Sequence, residues 1–110
     1  MERFVKGDIV VMPFPFSNLS QTKKRPALVV ASPEGENYIL CQITSQRRDS
    51  KYSLSLKQKD FVAGSLPVES VIQTENIFTG HKSLILSKRG HINRRKKEQV
   101  LKKIVTMLQA

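Results

Sequence analysis

The hydrophobic periodicity of this chain changes once, at Asn93, and that change orders its architecture. Before it, apolar residues come in short runs, Ile9-Val10-Val11-Met12, Ala27-Leu28-Val29-Val30-Ala31 and Tyr38 to Ile43, separated by Gly, Pro, Ser and Asn. Short β-branched runs between turn residues read as strands. After it, Val100, Leu101, Ile104, Val105 and Leu108 recur at intervals of three and four, as on a helix that buries an apolar stripe. The expectation is a mainly β domain closed by one amphipathic helix. At 110 residues the chain forms one domain, 1–110, and is too short for two cores.

Gly7-Asp8 reads as a turn before the first strand. Pro13 and Pro15 lack ladder donors, so that strand should end there or run along an edge. A polar, basic loop is predicted over Ser17 to Lys24, and Arg25, before Pro26, is biased toward extended backbone. Ser32 to Asn37 is a hairpin turn, so three antiparallel strands open the domain. Ser53-Leu54-Ser55-Leu56 alternates with period two, and Leu66 to Ile72 and Glu75 to Phe78 add short extended runs. So many short strands imply a strongly bent or closed sheet, with all five helix aliphatics docked on it. Asn93 is the predicted N-cap, yet Arg94 to Lys97 put cations where the helix dipole prefers anions, which favours an anion nearby.

Lys and Arg number 19 against 9 Asp and Glu, a formal net charge of +10. Nucleic acid, an anionic membrane or an acidic protein are the natural partners of such a field. Much of the excess lies between Lys88 and Lys103, either a binding surface or a solvated helix face. The apolar runs are far below the ~20 residues of a membrane span, and no signal-type segment follows Met1, so a cytoplasmic protein is expected. Cys41, the single cysteine, lies in an apolar run and reads as a buried structural thiol.

Phosphate-loop, dinucleotide-binding and zinc-protease motifs are missing, and His81 and His91 have no Cys or acid cluster beside them in the sequence. Neither a metal nor a cofactor is expected, and both histidines read as surface residues. What remains is Arg25 opening the second strand and Thr44-Ser45-Gln46 leaving the third. In a hairpin turning at Glu34-Gly35, Arg25 and Thr44 come nearly opposite each other. A planar guanidinium beside a hydroxyl suits a phosphate held without a metal. On these residues alone, an ordinary loop arginine at Arg25 and a turn at Thr44-Ser45 are the simpler reading.

Gly7-Asp8-Ile9-Val10 before Pro13-Phe14-Pro15-Phe16, then Arg25-Pro26-Ala27-Leu28-Val29-Val30, Ile43-Thr44-Ser45, Ser70-Val71-Ile72 and a terminal amphipathic helix together resemble the MazF/PemK/Kid family of toxin endoribonucleases. The match covers almost the whole chain in the family's order. The resemblance implies an SH3-like barrel of the CcdB/MazF/Kid toxin type with a C-terminal helix. It also implies a two-fold homodimer, a groove for single-stranded RNA at or near the dimer interface, and an acidic antitoxin as partner. Carried over by position, Arg25 and Thr44 match the family's catalytic arginine and threonine. Glu75 stands where one branch has an acidic residue proposed as the base, and Gln73 where that branch has an arginine, which leaves acid and base roles open. Ser45, Gln46, Gln73, Lys23 and Lys24 are the expected substrate-binding residues. The segment Ser20-Gln21-Thr22-Lys23-Lys24 lacks the Glu or His many members place before the arginine, so no RNA motif is carried over.

The reaction implied is transphosphorylation of single-stranded RNA: the 2′-hydroxyl attacks the adjacent phosphate, leaving a cyclic phosphate and a free 5′-hydroxyl. The rival is a non-catalytic basic barrel, either an RNA-binding module or a gyrase poison like the CcdB toxins. Those toxins act through an aromatic-containing C-terminus, whereas this chain ends Thr106-Met107-Leu108-Gln109-Ala110 and has no Trp.

Overall fold

In the computed structural model, which describes residues 3–15, 22–46 and 50–110, the β-branched runs become the central strands of one antiparallel sheet. Strands β1 (Asp8–Pro15), β2 (Thr22–Ala31) and β3 (Asn37–Thr44) are followed by β4 (Ser53–Leu56), β5 (Phe61–Gly64), β6 (Ser70–His81), β7 (Ser87–Ile92) and helix α1 (Arg94–Leu108). The sheet order is β4-β6-β3-β2-β1-β7-β5. Of the loop expected over Ser17 to Lys24, residues 17–21 lie outside the described set, and Lys23 and Lys24 already belong to β2. Leu66 to Ile72 and Glu75 to Phe78 are not separate strands: the single strand β6 starts at Ser70 and runs through the second run.

The prolines fit where ladders stop. β7 pairs with β1 only as far as Val11, so from Met12 onward β1 is an edge and carries Pro13 and Pro15 without ending. Pro26 lies one residue before the β2–β3 ladder starts at Ala27↔Gln42. Gly7 holds the turn before β1 at φ 97, and a Cβ there would meet Lys97 Cδ at 2.6 Å.

Connectivity makes the sheet curl. Laid flat, the seven strands would hold β4 and β5 about 29 Å apart at ~4.8 Å per neighbour. Residues 57–60, all that separates Leu56 from Phe61, reach at most about 18 Å. The two edges therefore approach each other, and the sheet closes into a half-barrel.

Both faces carry core. Ile9, Leu28, Cys41, Ile43, Leu56, Ile72 and Ile92 pack with Val100 and Ile104 of α1, while Phe4, Val10, Met12, Ala27, Val29, Tyr38 and Leu40 form a second cluster. Cys41 is fully buried, as its apolar run predicts. The docking expected of all five helix aliphatics is only partly realised: Leu101, Val105 and Leu108 are 54%, 42% and 71% exposed. At ~3.6 residues per turn Leu101 and Val105 lie about 100° round the helix from Val100 and Ile104, and Leu108 is the last residue of α1.

The helix start is tied to the β4–β5 link. Asn93 caps the helix, its side chain accepting the Lys96 N–H at 2.8 Å, and its own N–H donates to the Asp60 carbonyl at 2.7 Å. Lys96, itself buried, donates to the Ser55 carbonyl at 3.0 Å and faces the Asp60 carboxylate at 3.6 Å. That carboxylate also accepts the Lys57 N–H at 2.9 Å. The anion favoured by the cationic first turn is thus the chain's own Asp60. Removing one partner of a buried pair strands the other charge, at about 3–5 kcal/mol. Asp60→Ala should lower the unfolding free energy by about 3 kcal/mol in urea, and adding Lys96→Met should restore much of it; equal stabilities for wild type and Asp60→Ala would rule out this clamp.

Candidate functional site

Where β2 and β3 leave the half-barrel, a cleft of about 510 Å³ opens. Arg25 and Pro26 of β2, Ile43 and Thr44 of β3, and Ser45 and Gln46 beyond it form one side, and the Leu66-Pro67-Val68 turn before β6 forms another. The β2–β3 register Ala27↔Gln42, continued two residues, sets Arg25 opposite Thr44, the cross-strand placement expected from the sequence. Lys23 and Lys24 also line the cleft. So does Arg89 of β7, a cation of the Lys88 to Lys103 stretch whose place beside Arg25 the sequence does not single out. β7 pairs Ile9 with Gly90 and Val10 with Lys88, so Arg89 occupies the irregularity between them.

Thr44 is buried to 4% exposure, and its hydroxyl oxygen accepts the Gln46 N–H at 3.1 Å. With that lone pair engaged, the hydroxyl proton is left to donate to a ligand. Ser45, Gln46, Lys23 and Lys24 are exposed at the rim. Among the described lining residues there are cations and hydroxyls but no carboxylate or histidine, over a floor of Val11, Pro26 and Ile43. Such a cleft can hold a phosphodiester and stabilise negative charge developing on it.

Gln73 and Glu75 do not line this cleft. Gln73 is buried opposite Gln42 and accepts an N–H of Asn76 at 2.9 Å. Glu75 is exposed and accepts the Ser50 hydroxyl at 2.7 Å. β6 bulges here: neighbouring Cys41 and Gln42 pair with Ile77 and Gln73, so residues 74–76 are extra to the ladder. Burial, and then the Glu75 charge, push the Cys41 thiol from 9.0 up to about 12, so it stays protonated and is no nucleophile.

Among the described residues, both histidines and several cations of the helix start have partners within the chain. His91, expected at the surface, instead bonds through Nδ1 to the buried carboxylate of Asp8 at 2.8 Å, with Lys97 Nζ at 3.2 Å from its Nε2. His81 lies 3.4 Å from Glu36. Arg94 pairs with Glu98 at 3.1 Å, and Lys96 with Asp60. The basic helix start is therefore largely engaged with its own neighbours, and none of its side chains lines the cleft. Among the described residues no cluster of His, Cys, Asp and Glu could hold a metal ion, and no helix is long and apolar enough to cross a membrane.

A family profile described as PemK-like, MazF-like toxin of type II toxin-antitoxin system matches residues 5–108. No curated protein matches the chain. Among solved structures, MazF from Deinococcus radiodurans is 19% identical with a TM-score of 0.76, each chain covered in full (100%). An endoribonuclease bound to its cognate antitoxin, from Mycobacterial species, is 14% identical with a TM-score of 0.77, covering 97% of this chain and 96% of that one. Mycobacterium tuberculosis toxin MazF-mt6 is 18% identical with a TM-score of 0.68, covering 91% and 96%. At these identities the likeness establishes the fold, a mainly β toxin barrel with a terminal helix.

The cleft's charge makes a prediction. If Lys23 and Lys24 each neutralise a phosphate of a single strand, the slope of log affinity against log salt should become shallower by about 0.7 per lysine replaced by glutamine. Arg94→Gln with Arg95→Gln should leave the slope unchanged. Titrating labelled single-stranded DNA at several salt concentrations measures both, and the opposite pattern would move the phosphate path to the helix.

Proposed function

The chain belongs to the PemK-like, MazF-like toxins of type II toxin-antitoxin systems, and from that premise we propose that it is an endoribonuclease cutting single-stranded RNA, messenger RNA above all, without a metal ion. The observation that carries this reading is the pairing of Arg25 with the buried Thr44 in one cationic cleft. The resemblance carries both over as the catalytic pair. The structural neighbour solved with its antitoxin is an endoribonuclease.

In the proposed reaction the substrate's 2′-hydroxyl attacks the adjacent phosphorus, the bond to the 5′-oxygen breaks, and the products are a 2′,3′-cyclic phosphate and a 5′-hydroxyl. Arg25 holds the non-bridging oxygens as their charge grows, and fixed donors act most strongly at that moment. Thr44 donates its hydroxyl proton to one of the same oxygens. Lys23, Lys24, Ser45 and Gln46 bind the flanking backbone. A guanidinium is a poor base. The resemblance assigns that role to Glu75, whose carboxylate lies beside Ser50 outside the cleft lining.

The same reading brings a cytoplasmic location, a two-fold homodimer and an acidic antitoxin. For the antitoxin, the +10 charge and a cleft lined by Lys23, Lys24, Arg25 and Arg89 beside apolar Leu66 and Val68 fit a disordered acidic segment that folds on contact. One neighbour was solved in complex with its cognate antitoxin.

Two experiments test these points. Arg25→Ala should abolish cleavage of a mixed RNA pool in chelator while the thermal transition is kept, and Glu75→Gln should slow cleavage with RNA affinity unchanged. Near wild-type cleavage by Arg25→Ala would falsify the assignment of the pair, and by Glu75→Gln that of the base. In the second, titrating the product of the neighbouring gene onto the protein loaded with labelled uncleavable RNA should displace the RNA. A ternary complex with RNA affinity unaltered would refute occlusion of the cleft.

A further inference from the structure

A second opening, about 450 Å³, lies on the sheet face that carries the second core cluster. Its walls include Met12, Phe14, Phe78 and Leu84, with the amides of Gln42 and Asn76 at its polar side, and none of its lining residues is charged. In a chain of net charge +10, a neutral opening of this size is a departure.

It is placed beside the cationic cleft by strand register. Met12 pairs with Arg25, Pro13 with Lys24 and Phe14 with Lys23, so the wall that β1 gives the groove runs alongside the cations that β2 gives the cleft. Directly opposed residues share a face of the sheet. Gln42 lies two residues before Thr44 on β3, hence on the same face about 6.7 Å away. The groove thus starts where a phosphate held by Arg25 and Thr44 would end.

Its chemistry has two halves. Phe14 and Phe78 meet edge to face, centroids 5.1 Å apart, and both are partly exposed. Across from them, the Asn76 amide nitrogen donates to Gln73 Oε1 at 2.9 Å and to Gln42 Oε1 at 3.3 Å. With those atoms engaged, Asn76 offers its oxygen as acceptor and Gln42 its nitrogen as donor. A neighbouring acceptor and donor match a base edge that presents one of each, as the N6 and N7 edge of adenine does. Aromatic faces stack on any base.

We propose that this groove holds one unpaired nucleobase beside the scissile phosphate and that Asn76 and Gln42 read its edge, with Gln73 as the positioning residue that orients Asn76. The inference rests on RNA being the substrate. The in-register cations favour a nucleotide over an apolar antitoxin side chain, which would need neither them nor the amides.

The test uses a random pool of 2′-O-methyl RNA octamers, which lack the attacking hydroxyl. Wild-type protein should enrich one base at one position about tenfold, and Asn76→Ala, at an exposed site, should erase that enrichment. Phe14→Leu, which keeps the packing, should weaken binding of the whole pool about tenfold with its salt dependence unchanged. Unchanged enrichment in Asn76→Ala, or no enrichment by wild type, overturns the proposal. Variants that select RNA as before but lose affinity for the neighbouring gene's product would give the groove to the antitoxin instead. Selection from the pool without cleavage of ordinary RNA would leave the groove standing and remove the endoribonuclease.

Discussion

Everything in this fold turns on the short link from β4 to β5. Residues 57–60 join the two opposite edges of the sheet, and a link that short leaves the sheet no flat solution. The curl in turn creates both the hollow that α1 covers and the open end where Arg25 and Thr44 stand. Asp60 holds the link in place three times over: its carbonyl takes the Asn93 N–H, and its carboxylate takes the Lys57 N–H and faces Lys96. Sheet edge and helix start are thereby fixed by one residue. A buried pair of this kind adds little net stability over an apolar replacement, so its role here is to specify how the edges meet.

What the sequence made legible follows from which forces leave a local signature. Burial does, so β1, β2, β3 and the helix with its Asn93 cap stand where the apolar pattern places them. Register does within a hairpin, so counting from the turn brings Arg25 to Thr44. β5 and β7 leave little: Phe61–Gly64 is short and mostly exposed, and Ser87–Ile92 buries only Gly90 and Ile92, so both are held chiefly by backbone ladders. Glu75 was assigned by position along the chain, and the three residues that bulge between Gln73 and Ile77 break the count that such an assignment relies on. Arg89 was hidden for the same reason, since only an irregular strand brings it to the cleft. Likewise, a helical wheel shows that Leu101, Val105 and Leu108 are apolar but not how wide the surface beneath them is.

The charge of the chain divides into two populations that composition cannot separate. At the start of α1 the cations face the chain's own acids: Lys96 meets Asp60, Arg94 meets Glu98, and Lys97 reaches Asp8 through His91. These contacts answer the unfavourable dipole locally. Lys23, Lys24, Arg25 and Arg89 instead converge on a cleft with no carboxylate among its described lining residues. This second group keeps a field that can attract a polyanion, and a concave, partly apolar site focuses it.

That division bears on how such a site could accelerate a reaction. A cleft lined by cations and hydroxyls, with no carboxylate or histidine among its described lining residues, has little to offer proton transfer and much to offer a phosphorus centre gaining charge. Stabilisation of that kind is worth most when the donors are already in place, because no reorganisation is then needed as the charge develops. Arg25 and Thr44 meet this condition through the backbone: they sit on adjacent strands in a register fixed by the core below them. The apolar packing of Leu28, Cys41 and Ile43 therefore acts on the chemistry at a distance, by setting how far a guanidinium stands from a hydroxyl. A fold that spends its rigidity on that separation can leave base recognition to neutral side chains nearby, since affinity from charge and selectivity from base edges draw on different physical terms.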